Sequence, residues 1–175
     1  METKTVKRTL GSSSTMSKPL FKKLLVALDG SESSQRAAQA ALEFAEKLKT
    51  DLIVLHAITP PTSYYHSTIA SPTGMSLPAP SQREIDAYYA YARKVAMGIV
   101  GETEAKAKKQ GIHVKTEIPE AVSSVVETII NHATKETVDL IVVGTRGRGG
   151  FKKMLLGSVS SGIVSHANCP VLVVR

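Results

Sequence analysis

Five short apolar runs separated by four helical stretches span residues 23–175. The first run, Lys23-Leu24-Leu25-Val26-Ala27-Leu28, stops at Asp29-Gly30, a turn-forming pair that ends a buried strand. Ser31, Ser33 and Ser34 then offer N-caps to a helix reaching about Lys49, with Ala37, Ala38, Ala41, Leu42, Ala45 and Leu48 on its apolar side. Residues 52–58 form a second strand, whose near-continuous apolar character fits a sheet covered on both faces. Residues 59–80 interrupt the rhythm. Pro60, Pro61, Pro72, Pro78 and Pro80, with Gly74, predict a long irregular insertion, a kind of segment that inside a compact domain is usually functional or flexible.

Ser81 and Glu84 have capping-box spacing and open a long helix that ends near Gly111. Gly98 and Gly101 inside it mark a bend or a close packing contact. Residues 112–118 alternate apolar and polar, as a half-buried or edge strand does. Ser124 and Glu127 repeat the capping-box spacing before a helix carrying Val125, Val126, Ile129, Ile130 and Ala133. A strand over 138–143, a loop over 144–157, a short helix over 158–167 and a last strand over 171–174 complete the chain. Alternating strands and helices with right-handed crossovers require an α/β fold: one domain, an open parallel five-stranded sheet, helices on both faces. In such Rossmann-like sheets ligands bind beyond the carboxyl ends of the strands, so Asp29 and Gly144, each just after a strand, are the first candidates.

Charge sharpens this picture. The net charge of +7 is uneven: residues 1–23 hold six Lys or Arg against the single acid Glu2, and the remaining 16 basic and 14 acidic residues nearly cancel. Residues 1–20 read as a basic flexible N-terminal extension of a 21–175 domain, with Met16 a candidate internal start. This stretch lacks the apolar core of a signal peptide, and no run approaches the ~20 apolar residues of a membrane span. The single cysteine, Cys169, cannot close an intrachain disulfide and fits a reducing, cytoplasmic setting. Aromatic residues do not interleave with the basic ones, which argues against nucleic acid as a partner. The five histidines show no metal-ligand spacing; His56, within an apolar strand, reads as a hydrogen-bonded core residue. Tyr88, Tyr89 and Tyr91 form an aromatic helix face packed under the 59–80 insertion.

The segment from Gly144 to Ser160 carries the chemistry. Gly144 and Gly147 allow positive φ and close approach to a ligand. Gly157, Ser158, Val159 and Ser160 open a helix, whose free N–H groups favour an anion, and the serine hydroxyls can donate to it or cap the helix. Arg146, Arg148, Lys152 and Lys153 add positive charge without a single acid between 144 and 175. Neither G-x-x-x-x-G-K-[ST] nor G-x-G-x-x-G fits the segment; G-x2-G-x9-G-[ST] does, at Gly144, Gly147, Gly157 and Ser158.

With Val26-Ala27-Leu28-Asp29-Gly30-Ser31, Leu55-His56-Ala57 and Cys169-Pro170-Val171-Leu172-Val173-Val174, this pattern resembles the universal stress protein family, specifically its ATP-binding branch. The resemblance implies a sheet of order 3-2-1-4-5, of the adenine nucleotide alpha hydrolase-like type. It implies Asp29 at the ribose hydroxyls or the metal–phosphate region, and Ala27, Ala57 and Val143 around adenine. Gly144, Gly147, Gly157, Ser158, Val159 and Ser160 would wrap ribose and phosphates, with Arg146 as a cation where the family often has histidine. It also implies a homodimer through strand 171–174, whose apolar edge would otherwise be exposed. The expected protein is then a cytoplasmic, dimeric, ATP-binding regulatory switch of the stress response, with slow Mg²⁺-supported hydrolysis at most. The alternative is a nucleotide-metabolising enzyme of the adenine nucleotide alpha hydrolase type, whose relatives carry a Ser/Gly-rich loop after the first strand; 29–34 holds one glycine and has the acid Glu32 in its middle.

Overall fold

Nine elements follow one another in strict strand–helix alternation in a computed structural model that describes residues 20–61, 79–147 and 156–175. They are β1 (Lys23–Ala27), α1 (Glu32–Leu48), β2 (Asp51–Leu55), α2 (Gln82–Lys109), β3 (Val114–Glu117), α3 (Val125–Lys135), β4 (Leu140–Gly144), α4 (Ser158–His166) and β5 (Val171–Val174). All strand pairs are parallel and the order is β3-β2-β1-β4-β5, as expected. The expected N-terminal extension, most of the 59–80 insertion and Arg148, Lys152 and Lys153 lie outside the described residues. Among the described residues no helix is long and apolar enough to cross a membrane.

Beyond the charged first residues Lys23 and Asp51, the central strands are apolar because both faces are covered. Leu24 and Val26 of β1, Leu52 and Val54 of β2 and Leu140 and Val142 of β4 face α1 and α2. Leu25, Ile53, Ile141 and Val143 face α3 and α4 on the opposite side. The alternation follows from the period of two along a strand, and it makes two cores share one sheet. Helix α1 meets the sheet through Ala37, Ala38, Ala41, Leu42 and Ala45, mostly small residues, while Leu48 is 40% exposed and lies outside the core. Helix α2 buries Ala96, Val100, Thr103 and Ala107, a stripe at helical spacing.

Helix ends follow the expected signals with one exception. Ser81 and Glu84 make the full capping box: the Ser81 N–H donates to Glu84 Oε2 at 2.8 Å and the Glu84 N–H to Ser81 Oγ at 3.4 Å. At α3 only half of it forms. Ser124 Oγ accepts from the Glu127 N–H at 3.1 Å, but the Glu127 carboxylate takes the hydroxyl of Ser123 instead. Gly98 and Gly101 mark no close contact, since a Cβ at either would meet nothing within 4 Å. Strand β2 stops at Leu55, three residues before the expected end; beyond it only an isolated bridge joins Ile58 to Glu120. Cys169 packs partly buried beside Val171, and burial raises its thiol pKa.

Strand order reverses between β1 and β4, and the crevice there opens at the carboxyl ends of both strands. At this point the fold tolerates no extra atom. A Cβ on Gly144, the last residue of β4, would lie 2.5 Å from Ser33 Oγ and 2.6 Å from the Ser33 carbonyl carbon. Gly144→Ala is therefore expected to destabilise the protein by about 1–3 kcal/mol, the usual range for overpacking, measured by urea unfolding. Hydrogen bonds from Ser81 hold the Glu84 carboxyl below its ordinary value of 4.5. A depressed folded pKa stabilises the folded form above the unfolded value and is lost as pH falls through the folded one. The hydrogen-exchange protection factors of the Ser81 and Glu84 amides should therefore fall selectively below pH 4.5 in the wild type, and Glu84→Gln should flatten this dependence.

Candidate functional site

The β1–α1 turn is built around Asp29. Its Oδ1 accepts the N–H of Ser31 at 3.0 Å, which folds the side chain back over the turn. Gly30 between them has φ +81, a conformation that favours glycine, and packs against Ile99 of α2. Ser31 caps α1 by accepting the Ser34 N–H at 3.2 Å, and the Ser34 hydroxyl donates to the Ser31 carbonyl at 2.8 Å. The turn is thus rigid before any ligand arrives.

The β4–α4 connection is fastened to this turn and to itself. The hydroxyl of Ser31 donates to the Arg146 carbonyl at 3.2 Å, and the hydroxyl of Ser33 donates to the same oxygen. Ser33 Oγ also accepts the Arg146 N–H at 3.3 Å. One residue on, a Cβ at Gly147 would stand 2.7 Å from Asp29 Oδ2, so the loop backbone lies directly on the carboxylate. The far end of the loop returns to the same place: the Gly157 N–H donates to the Thr145 carbonyl at 2.7 Å, and Ser160 Oγ donates to the Gly144 carbonyl at 2.6 Å.

These contacts correct two expectations. Gly144 and Gly147 do not supply positive φ; among the described residues the positive-φ glycines are Gly30 and Gly111. They are glycines because α1 and Asp29 leave no room for a Cβ. The Ser160 hydroxyl is not a spare donor either, since it is 6% exposed and gives its hydrogen to Gly144. What the start of α4 does present is backbone. Gly157 is its N-cap and supplies no side-chain cap bond, and the N–H groups of Ser158, Val159 and Ser160 belong to the first turn, where no helical carbonyl precedes them. Free first-turn amides and the helix dipole make an anion-favouring end.

All eleven residues singled out in the sequence line one cavity of about 660 Å³ at the carboxyl ends of β1, β2 and β4: Ala27, Asp29, Ala57, Val143, Gly144, Arg146, Gly147, Gly157, Ser158, Val159 and Ser160. Sequence reading missed the lining that the helices on the two faces of the sheet add, Tyr88, Tyr91 and Val95 from α2 and Val125 and Ile129 from α3. The Tyr88 hydroxyl donates to the Thr59 carbonyl at 2.7 Å, at the start of the 59–80 insertion, whereas Tyr91 is 70% exposed; the rest of the expected packing under the insertion falls on residues outside those described. The signal was the spacing of Tyr88 and Tyr91, one helical turn apart, read as packing alone. His56 also borders the cavity; its Nδ1 donates to the Leu28 carbonyl at 2.8 Å, a bond that fixes the tautomer. Among the described residues no three His, Cys, Asp or Glu side chains are grouped to hold a metal.

Comparison with known proteins gives the same picture from outside. The sequence profile of the universal stress protein family matches residues 20–175. The chain is 36% identical over 156 residues to universal stress protein YxiE of Bacillus subtilis, covering 89% of this chain and 100% of that one. Its fold superimposes with a TM-score of 0.65 on universal stress protein UspA from Lactobacillus plantarum, at 26% identity over 89% of this chain and 98% of that one. A universal stress protein family member from Arabidopsis thaliana solved with AMP bound shares the fold at TM-score 0.56 and 22% identity, covering 87% of this chain and 90% of that one. Universal stress proteins solved with dAMP, from Archaeoglobus fulgidus, and with cAMP share it at TM-scores of 0.58 and 0.57, at 17% and 23% identity, over 89% of this chain and 99% and 97% of theirs. From the profile match across residues 20–175 and the identity to YxiE over its full length, this chain belongs to the universal stress protein family.

Proposed function

We propose that the cavity binds an adenine nucleotide, ATP with Mg²⁺ in the working state, and that the protein is a cytoplasmic, dimeric regulatory switch of the stress response. The observation that carries this reading is that three kinds of group converge on one cavity. Small apolar strand ends at Ala27, Ala57 and Val143 suit a flat base, the Asp29 carboxylate suits ribose hydroxyls, and the first-turn amides of α4 suit phosphate oxygens. The adenine nucleotides held by the solved relatives belong to this class of ligand. Arg146 adds a permanent cation, and Asp29 would be the residue to hold Mg²⁺, which would offset part of the phosphate charge.

Regulation fits this site better than turnover. Asp29 is the only carboxylate among the described lining residues, and phosphoryl transfer without a second metal ligand or a placed base is slow. The alternative reading as a nucleotide-metabolising enzyme draws no support from the β1–α1 turn, where the Ser31 and Ser34 hydroxyls are engaged in backbone hydrogen bonds. Occupancy would instead set the path of the loop leaving β4 and so change the surface offered to a regulatory partner.

Association would use β5. It is an edge strand, and its four valine and leucine residues are all half-buried. The Pro170 and Val174 carbonyls accept from Ile141 and Thr145, so by alternation the N–H and carbonyl of Val171 and Val173 point away from β4, to the open edge.

Mass spectrometry of the purified protein under native conditions should find an adenine nucleotide carried through purification, and titration calorimetry should give a defined affinity for ATP and AMP. Gly147→Ala, which drives a Cβ onto the Asp29 carboxylate, should weaken AMP at least ~10-fold, a loss of about 1.4 kcal/mol. Gly157→Ala, whose Cβ would meet only ordinary contacts at 3.5 Å, should stay within about twofold. Val173→Pro removes an outward N–H without touching the β4–β5 ladder; sedimentation should show monomer with an unchanged circular dichroism spectrum.

A further inference from the structure

Ser33 stands at the second position of α1, 6% exposed, and besides a 3.4 Å contact with the Ser31 hydroxyl its side chain bonds both backbone groups of Arg146, 113 residues away. Its hydroxyl hydrogen goes to the Arg146 carbonyl and one of its lone pairs takes the Arg146 N–H. A hydroxyl has one hydrogen and two acceptor sites, so the two peptide groups flanking the Arg146 Cα use the side chain in opposite senses. Its backbone also forms the surface against which Gly144 packs without a Cβ. The residues on either side of this anchor are those of the proposed phosphate site. Gly147 follows with its backbone on Asp29, and Thr145 precedes, with its carbonyl receiving the Gly157 N–H at the start of α4.

We infer that Ser33 is a positioning residue for phosphate: it fixes the Arg146 peptide and through it holds Gly147 and the first turn of α4 where a phosphate group is received. The inference rests on the nucleotide reading given above. It assigns Ser33 no contact with the ligand, and it predicts a division within the ligand. The base lies against Ala27, Ala57 and Val143, which the anchor does not touch, whereas the phosphate depends on the loop the anchor holds. Removing the hydroxyl should therefore weaken nucleotides and leave the nucleoside alone.

The test uses the full chain with AMP and adenosine as separate probes. Ser33→Ala should lower AMP affinity roughly tenfold, in keeping with the loss of a two-bond anchor, and leave adenosine affinity within about twofold. Ser33→Cys keeps a weak donor and acceptor on a somewhat larger side chain, so it should fall between wild type and Ser33→Ala for AMP; it also serves if the alanine variant folds poorly. The amide resonances of Arg146 and Gly147 should shift in both variants without ligand. Equal losses for AMP and adenosine would reduce Ser33 to a general packing role, and unchanged AMP affinity would show that the anchor does not bear on phosphate; either result overturns the inference while leaving the nucleotide site standing. If wild type binds neither probe, nor ATP, the nucleotide reading fails and takes this one with it.

Discussion

The absence of a side chain at Gly144 governs the arrangement of everything around it. Only because β4 ends in a residue without Cβ can the first turn of α1 come down onto the strand end, with Ser33 atoms within 3 Å of where that Cβ would stand. That approach brings the β1–α1 turn and the β4–α4 loop into direct hydrogen-bonding contact, and two connections from distant parts of the chain become one wall. Asp29 and Gly147 then meet as a consequence, as do the Gly157 amide and the Thr145 carbonyl. A close-packed interior transmits such a constraint because neighbouring groups have nowhere else to go.

The consequences reach the energetics of binding. A cavity whose polar groups are already held by Ser31, Ser33, Ser34 and Ser160 loses little conformational entropy when a ligand arrives, and preorganisation of this kind is a main source of affinity. The lining from α2 and α3 is different in character. Tyr91 is mostly exposed, and Val95, Val125 and Ile129 offer shape without directional bonds. Hydrogen bonds thus set the turn and loop, and mainly apolar contact sets the helical lining.

Much of this was legible in the residues. Short continuous apolar runs such as Leu24-Leu25-Val26, closed by Asp29-Gly30, read as strands covered on both faces and point to a parallel sheet; the alternation in 112–118 correctly marked an edge. The glycine pattern located the cavity because glycine is needed wherever backbone approaches another group closely. Which group, however, was not legible: Gly144 and Gly147 answer to Ser33 and Asp29 rather than to positive φ. Ser33 itself was hidden among three serines of equal capping potential, since sequence cannot say which of them caps and which reaches across the fold. The second capping box failed for a similar reason, Ser123 competing with the Ser124 backbone for one carboxylate. Tyr88 and Tyr91 were placed on the right helix, but only the tertiary fold shows that this helix borders the crevice.

The two borders of the sheet are chemically unlike. At β3, Lys115 sits between Glu117 and Glu136, a charged rim that discourages any incoming strand, whereas β5 is valine and leucine throughout. Copies joined through β5 about a twofold axis would consume their only adhesive border and expose two repellent ones. Growth would then stop at a pair, and the ladder joining such a pair would itself keep the chains from zipping into fibrils.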